Sequence, residues 1–505
     1  MTESEFNFLV IVCDDLNDWV LRPAGHPVPL CPNIDELRAR SADFENAHCA
    51  VPVCGPSRLA MFSGLTPQTS GAYSFGGWQS FPGLEGVDPL PAVFRTEGFV
   101  VAGAGKVFHT GSGGDFYDGF GPGVDYGPHP WLGVGRAEFT PHPDQYLLWE
   151  GHLSAWDMHR DLNYGSLANV PTWGPREERN APGASGWHYK DARPFRYESD
   201  DDRDPMPDEM SVDWALDHLR TLNDDDRSLL MVGFAKPHTP LYVPQKYFDR
   251  FPIESVALPP YLENDLDDCA PTLRNRWQWG FEKFRALLAA GGEDAWRDFV
   301  QAYLATISFV DDQVGRLLAG LQETGRAQST VVILTSDNGY HLGEKDCIQK
   351  WHLWHESTRV PLVIHVPLQP PRRITTPASL IDIYPTMLDL ADAADSSPRQ
   401  RLEGKSLMPL VDGSLHADGD GAAIVAIKDA GELPHYSVCT ATHRYTRCAN
   451  GEEELYDLVA DPHEWHNLAE RPAHGEIRAE LRQVLATHFA GTRTPDGWSD
   501  WMAQS

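Results

Sequence analysis

The sequence is short of positive charge. It carries 41 Lys and Arg against 73 Asp and Glu, a formal net charge of −32. So acidic a chain makes a poor partner for nucleic acid or an anionic membrane, which are bound through clustered cations. The apolar runs are of strand length, none of them long enough to cross a bilayer. Cysteine is scarce: eight residues at irregular spacings, without the paired Cys-x-x-Cys pattern of a zinc site. Apart from Cys54, discussed below, they read as reduced structural thiols. The opening Met1-Thr2-Glu3-Ser4-Glu5 lacks a basic leader start, and the apolar run that follows goes straight into acidic residues. A cytoplasmic location is therefore expected. No internal repeat is visible.

What is present is enough for a large core. The chain has 505 residues, 41% of them hydrophobic and 23% charged, which predicts a globular protein of more than one domain. Continuous apolar, β-rich runs at 7–13, 229–234, 330–335 and 361–366, with shorter ones at 43–48 and 99–103, predict buried strands. Between them, helical patterns fall at 32–40, 90–97, 210–222 and 299–321. This alternation predicts an α/β fold, a large mostly parallel sheet flanked by helices. From 110 to 207 the periodicity fades into Gly, Pro, Trp, Tyr, His and Asp, as expected of loops over a site. The Trp and Tyr residues there, Trp187 and Tyr189 among them, suggest either a sugar platform or ordinary packing. After a helix at 382–392 and a linker at 395–398, short strands at 423–427, 436–441 and 454–458 and a helix at 476–489 predict a smaller α+β domain. The expected division is 1–395 and 396–505.

The chemistry gathers at strand ends and at one helix start. Cys54-Gly55-Pro56-Ser57-Arg58 places a cysteine at a helix N-terminus, with Pro56 in the first turn. The helix dipole there favours negative charge, and Arg58, four residues on, can point back at Cys54. That pattern suits an anionic nucleophile handling an anionic group. Four predicted strands end in Asp14-Asp15, Lys106 with His109, Lys236 with His238, and Asp337-Asn338. In an open α/β sheet, ligands bind at such carboxyl ends. Asp14, Asp15, Asp337 and Asn338 offer only oxygen, which favours Ca2+ or Mg2+. His109 and His238 can move protons near neutral pH.

Cys54-Gly55-Pro56-Ser57-Arg58 resembles the signature of the type I, formylglycine-dependent sulfatases. Ile11-Val12-Cys13-Asp14-Asp15-Leu16-Asn17-Asp18-Trp19 is similar to the first metal motif of the iduronate-2-sulfatase-like branch. So are Gly105-Lys106-Val107-Phe108-His109, Lys236-Pro237-His238-Thr239-Pro240 and Ser336-Asp337-Asn338-Gly339 in their places. Lys350 with Thr358-Arg359-Val360-Pro361-Leu362 resembles the stretch with the family's last sulfate-binding lysine. The resemblance implies an alkaline-phosphatase-like fold, and Cys54 oxidised to formylglycine by a separate formylglycine-generating enzyme. It implies one Ca2+, with Mg2+ the alternative, on Asp14, Asp15, Asp337, Asn338 and the modified Cys54. Arg58, Lys106 and His109 would surround the hydrated aldehyde, and His238 and Lys350 would face the sulfate ester, with Lys236 nearby. One hydroxyl of the hydrate would attack sulfur; His238 would protonate the leaving alcohol and His109 would deprotonate the second hydroxyl, or the two would exchange roles. The implied substrate is a small sulfate ester, such as a sulfated saccharide. Two rivals remain: a phosphonate monoester or phosphodiester hydrolase on the same site, and a non-catalytic sulfate-ester-binding protein.

Overall fold

Strand β1 (Asn7–Asp14) is buried along all eight residues. Leu9, Ile11 and Cys13 enter one apolar core, and Phe8, Val10 and Val12 enter another. A strand apolar on both faces needs cover on both, and that requirement organises the molecule. The computed structural model describes residues 6–22, 30–109, 114–130, 164–169, 187–191, 193–276, 278–393, 398, 401–429 and 433–490.

The main sheet has nine strands. After β1 come β2 (Ala42–His48), β3 (Val100–Gly105), β4 (Gly119–Gly123), β5 (Ser228–Pro237), β6 (Thr330–Ser336), β7 (Arg359–His365), β8 (Arg372–Ile374) and β9 (Ala378–Ser379). They lie in the order β8-β2-β7-β6-β1-β5-β3-β4, with β9 also pairing with β2. Strands β6, β1, β5, β3 and β4 run parallel, whereas β7 is antiparallel to both β6 and β2. One core face is covered by α1 (Pro32–Ala39), α4 (Pro207–Thr221) and α5 (Trp279–Glu323); the other by α2 (Cys54–Ser63), α3 (Leu90–Thr96) and α6 (Ile383–Leu390). Helix α5 starts well before the expected 299. Phe281, Phe284 and Leu287 extend its buried face, and Gly292 breaks the helix at φ 62° without ending it. Among the described residues, no helix is long and apolar enough to cross a membrane.

The described parts of the 110–207 stretch bear on two expectations. Its Gly-rich segment β4 extends the main sheet rather than looping over it. Trp187 is fully buried, its Nε1–H donates to the Leu167 carbonyl at 3.1 Å, and its ring packs 4.8 Å from Tyr242. Tyr189 is buried as well. For these two the packing alternative holds; Trp131, Trp149, Trp156 and Trp173 of the same stretch lie outside the described residues. Residues 111–113 and the expected linker at 395–397 lie outside the described residues.

Past 400, four antiparallel strands, β10 (Ala423–Ile427), β11 (His435–Cys439), β12 (His443–Arg447) and β13 (Glu453–Asp457), form a second sheet. Helix α7 (Gly475–Ala490) buries Leu481, Leu485 and Phe489 against Tyr436, Val438, Tyr445 and Leu455. The sheet's other contacts include Leu353, Trp354 and Phe281, so it braces the segment that carries Lys350. The Ala426 N–H also donates to the Ala50 carbonyl, 2.9 Å away, in the approach to Cys54. All eight cysteines are buried free thiols.

At the end of β3 the backbones of β3 and β5 approach so closely that only glycine fits. Gly105 has φ +72°, and a Cβ on Gly233 would lie 1.9 Å from the Lys106 carbonyl oxygen. Gly233→Ala therefore destabilises by about 3 kcal/mol or more. Thermal unfolding reads this as a Tm lower by about 3 °C or more. A Tm within about 1 °C of the parent contradicts this account of how Lys106 is placed.

Candidate active site

Three of the four clusters expected at strand ends come together whole, and of the fourth only His238 joins them. Strands β1, β6, β3 and β5 are neighbours or next neighbours and run the same way, so Asp14-Asp15, Asp337-Asn338, Lys106 with His109, and His238 meet above one edge. Cys54 opens α2, after an extended Val53. Asp15 adopts φ 65°, which turns the chain straight out of β1. Its carbonyl accepts from the Tyr303 hydroxyl of α5 at 2.6 Å, and Tyr303 in turn accepts the Asn17 N–H at 2.8 Å.

Three carboxylates are buried side by side, and each has a buried cation. Lys106 Nζ pairs with Asp14 Oδ2. Arg58 Nε pairs with Asp337 Oδ2 at 2.7 Å. Lys350 Nζ pairs with Asp15 Oδ1. Burial raises the Asp14 carboxyl, but Lys106, Lys350 and Arg58 outweigh it and hold Asp14 below the usual range. Burial dominates at Asp15, which is pushed up to about 7 despite Lys350, and it raises Asp337 as well. Lys106 and Lys350 are held in the charged form by these carboxylates.

Three oxygens in this cluster are buried and accept no hydrogen bond: Asp14 Oδ1, Asp15 Oδ2 and Asn338 Oδ1. The Asn338 amide explains its own orientation, since Nδ2 donates to Asp15 Oδ1 at 2.7 Å and to the Gly339 carbonyl at 2.8 Å. Ligand atoms of Asp14, Cys54 and Asp337 lie within 4.8 Å of one another, as do those of Asp14, Asp15 and His238. Unsatisfied buried acceptors are costly. A hard cation resolves all three at once, so the donor set fits Ca2+ or Mg2+.

Lys236 and Cys54 depart from expectation. Arg58 interacts electrostatically with Cys54, but its hydrogen bonds go to Asp337 and to the backbone carbonyls of Lys106, Val107 and Cys13. Lys236 stands outside the carboxylate cluster: its Nζ donates to the carbonyls of Tyr126, at 3.0 Å, and Pro240. Burial lowers it to about 8. The Cys54 thiol gains no thiolate character from the helix start, because burial raises its pKa despite Lys106 and Lys350.

Each histidine has a defined environment. His238 Nδ1 lies 2.6 Å from the Thr239 carbonyl, so it must donate, and Nε2 faces Asp15 Oδ2 at 3.7 Å. His109 is lowered to about 2 by burial and by Lys106, Lys350 and Arg58, so its imidazole is neutral. Residues that sequence reasoning missed complete the site. Tyr126 places its ring 5.1 Å from Lys106 Nζ and 4.9 Å from the His238 ring. It lies in the aperiodic stretch, where no pattern marks it. Gln349 and Trp351, at φ 138° and 79°, flank Lys350 in strained conformations that aim it at Asp15. Their place beside Lys350 was the only clue.

Known proteins share this arrangement's framework. The sulfatase family model matches residues 6–393, and a model of the C-terminal part of N-sulphoglucosamine sulphohydrolase matches 343–490. A sulfatase of Formosa agariphila is 32% identical over 92% of this chain and 83% of its own. A choline-sulfatase of Rhizobium meliloti is 28% identical over 98% and 87%, and human iduronate 2-sulfatase 27% identical over 94% and 80%. Among solved structures, a protein bound to its substrate D-glucosamine-2-N,6-O-disulfate aligns with TM-score 0.69 at 18% identity, covering 97% of this chain and 99% of that one. The phosphonate monoester hydrolase of Agrobacterium radiobacter aligns with TM-score 0.68 at 20% identity, covering 96% of each. Both support the alkaline-phosphatase-like fold. Matched along most of its length, the chain belongs to the sulfatase family, as a type I sulfatase that hydrolyses sulfuric esters.

Proposed function

We propose that this sulfatase acts on a small sulfated saccharide, through a formylglycine made from Cys54 and one Ca2+ held by Asp14, Asp15, Asp337 and Asn338. The observation that carries the reading is the trio of buried oxygens, Asp14 Oδ1, Asp15 Oδ2 and Asn338 Oδ1, without hydrogen-bond donors beside the start of α2. Relatives named for sulfated sugars support the substrate class: an N-acetylglucosamine-6-O-sulfatase of Bacteroides thetaiotaomicron and iduronate 2-sulfatase. In this reading residues 1–395 carry the reaction and 396–505 brace it.

The metal supplies charge stabilisation for the transferring group. Formylglycine, installed by a separate generating enzyme, supplies the nucleophilic oxygen that a buried, protonated thiol does not. The chain's own groups do the rest. Lys106 and Lys350 lie nearest as counter-charges for the sulfate. Arg58 acts through Asp337, which it orients and whose charge it partly stabilises against burial. His238 keeps its Nδ1–H on the Thr239 carbonyl, and in its imidazolium form a second proton on Nε2 is the one passed to the leaving alcohol. His109 is neutral, with a lone pair to take a proton, but burial and Lys106, Lys350 and Arg58 depress its basicity, so it serves as base only once the negative charge of the bound sulfate offsets those cations. Lys236 serves by holding the Tyr126 and Pro240 backbone rather than by touching sulfate.

Turnover of 4-nitrophenyl sulfate by matured protein tests the reading, with 4-nitrophenyl phenylphosphonate as the rival substrate. Chelation stops sulfate turnover and added Ca2+ restores it. Asp337→Ala loses most of the bound Ca2+ by atomic emission, and Cys54→Ala lowers kcat by on the order of 10³-fold or more. Turnover that survives proven metal removal, or a preference for the phosphonate, contradicts the assignment.

The histidine roles carry a pH signature. The folded His109 value, about 2, lies below the ordinary 6.5. Below about pH 6.5 the unfolded chain therefore binds a proton that the folded chain does not. His109 thus lowers stability as pH falls through that range and has no effect above it. Side-chain NMR of labelled histidine should show no His109 titration between about pH 5 and 8; a midpoint near 6.5 contradicts the neutral assignment.

A further inference from the structure

Phe75 is 50% exposed, whereas most large aromatic side chains among the described residues are buried. It lies over the residue after the nucleophile position: a Cβ on Gly55 would sit 3.1 Å from Phe75 Cδ1 and 3.6 Å from His109 Cγ. The Phe75 ring is 4.7 Å from the His109 ring, tilted by 31°, and 5.6 Å from the Trp351 ring at 73°. Trp351 directly follows Lys350. Its N–H donates to the Pro52 carbonyl at 3.2 Å, and its carbonyl accepts from Arg276 Nη1 at 2.5 Å. Two loops nearly 280 residues apart in sequence thus hold two rings almost at right angles beside Cys54. Phe75 and Trp351 together make an aromatic corner beside reactive groups, a surface on which an apolar ligand face can pack.

The charges nearby narrow the occupant. Asp14, Asp15, Asp337 and Asp429 are each paired with a cation, namely Lys106, Lys350, Arg58 and Arg276. With these pairs made, none of these four carboxylates is left over to hold a cationic alcohol. A pyranose instead offers an apolar C–H face to an aromatic ring and hydroxyls to water. We propose that Phe75 and Trp351 form a subsite for the apolar face of a sulfated pyranose, positioning the ring while its sulfate reaches Cys54. This inference rests on the sulfatase reading and adds what selects the alcohol.

The test is kcat/KM of formylglycine-bearing enzyme on hexopyranoses sulfated at single positions, 4-nitrophenyl sulfate, choline sulfate and propyl sulfate. The parent prefers its best pyranose over propyl sulfate by at least about tenfold. Phe75→Ala and Trp351→Ala each cut that ratio by about tenfold, mainly through KM, equivalent to about 1.4 kcal/mol. Phe75→Leu keeps bulk without a flat face; it loses the same preference at a Tm within about 2 °C of the parent, which separates stacking from folding. A ratio unchanged in all three variants overturns the subsite, as does a preference for choline, propyl or aryl sulfate over every pyranose. An enzyme that cleaves none of these esters fails the sulfatase reading itself, a different result from cleaving them without discrimination.

Discussion

Three carboxylates share one buried site, and the rest of the structure follows from compensating their charge. Asp14, Asp15 and Asp337 are almost fully buried. Each draws one cation from another part of the chain: Lys106 from the end of β3, Lys350 from the segment before β7, and Arg58 from α2. Removing one partner of such a pair costs about 3–5 kcal/mol, because the other charge is left buried alone. With the three pairs made, the cluster is neutral, yet Asp15 still sits at about 7 and three oxygens lack donors. A divalent cation relieves both. It also leaves the site with two net positive charges, which is how a chain of net charge −32 offers a local receptor for an anion.

The delivery of Lys350 ties the second sheet to this chemistry. Gln349 and Trp351 hold positive φ on either side of it, strain of about 1–3 kcal/mol each that the surroundings must impose. Arg276 grips the Trp351 carbonyl and pairs with Asp429 at 2.6 Å, just after β10. Arg444 of β12 donates to the Leu353 carbonyl at 2.9 Å. The Lys350 segment is thus fastened from the C-terminal side. It is consistent with this that the C-terminal family match begins at residue 343, before Lys350 and not after it.

What the sequence made legible was what depends on continuous burial and on strand direction. The runs at 7–13, 229–234 and 330–335 are apolar on both faces, so they had to be central strands. Parallel strands then bring Asp14, His238 and Asp337 to one edge. Partners set by tertiary approach were hidden. Helical spacing placed Arg58 near Cys54, but its charge is taken by Asp337, 279 residues away. Lys236 carries a motif yet turns to backbone carbonyls. Strand β12, His443-Arg444-Tyr445-Thr446-Arg447, was missed because its buried positions hold arginines paired with Glu464 and Glu453 instead of apolar residues. Phe75 and Tyr126 lie outside the motifs, and no periodicity marks a side chain placed at a rim.

The central claim is that Cys54 works as an aldehyde and not as a thiol. The most direct measurement is the mass of the tryptic peptide 41–58 from protein made in its own host. The account predicts that this peptide is lighter by the change from thiol-bearing methylene to aldehyde at Cys54, and that it reacts with a carbonyl-specific hydrazide. An intact thiol at Cys54 in enzyme that turns over sulfate esters would contradict it.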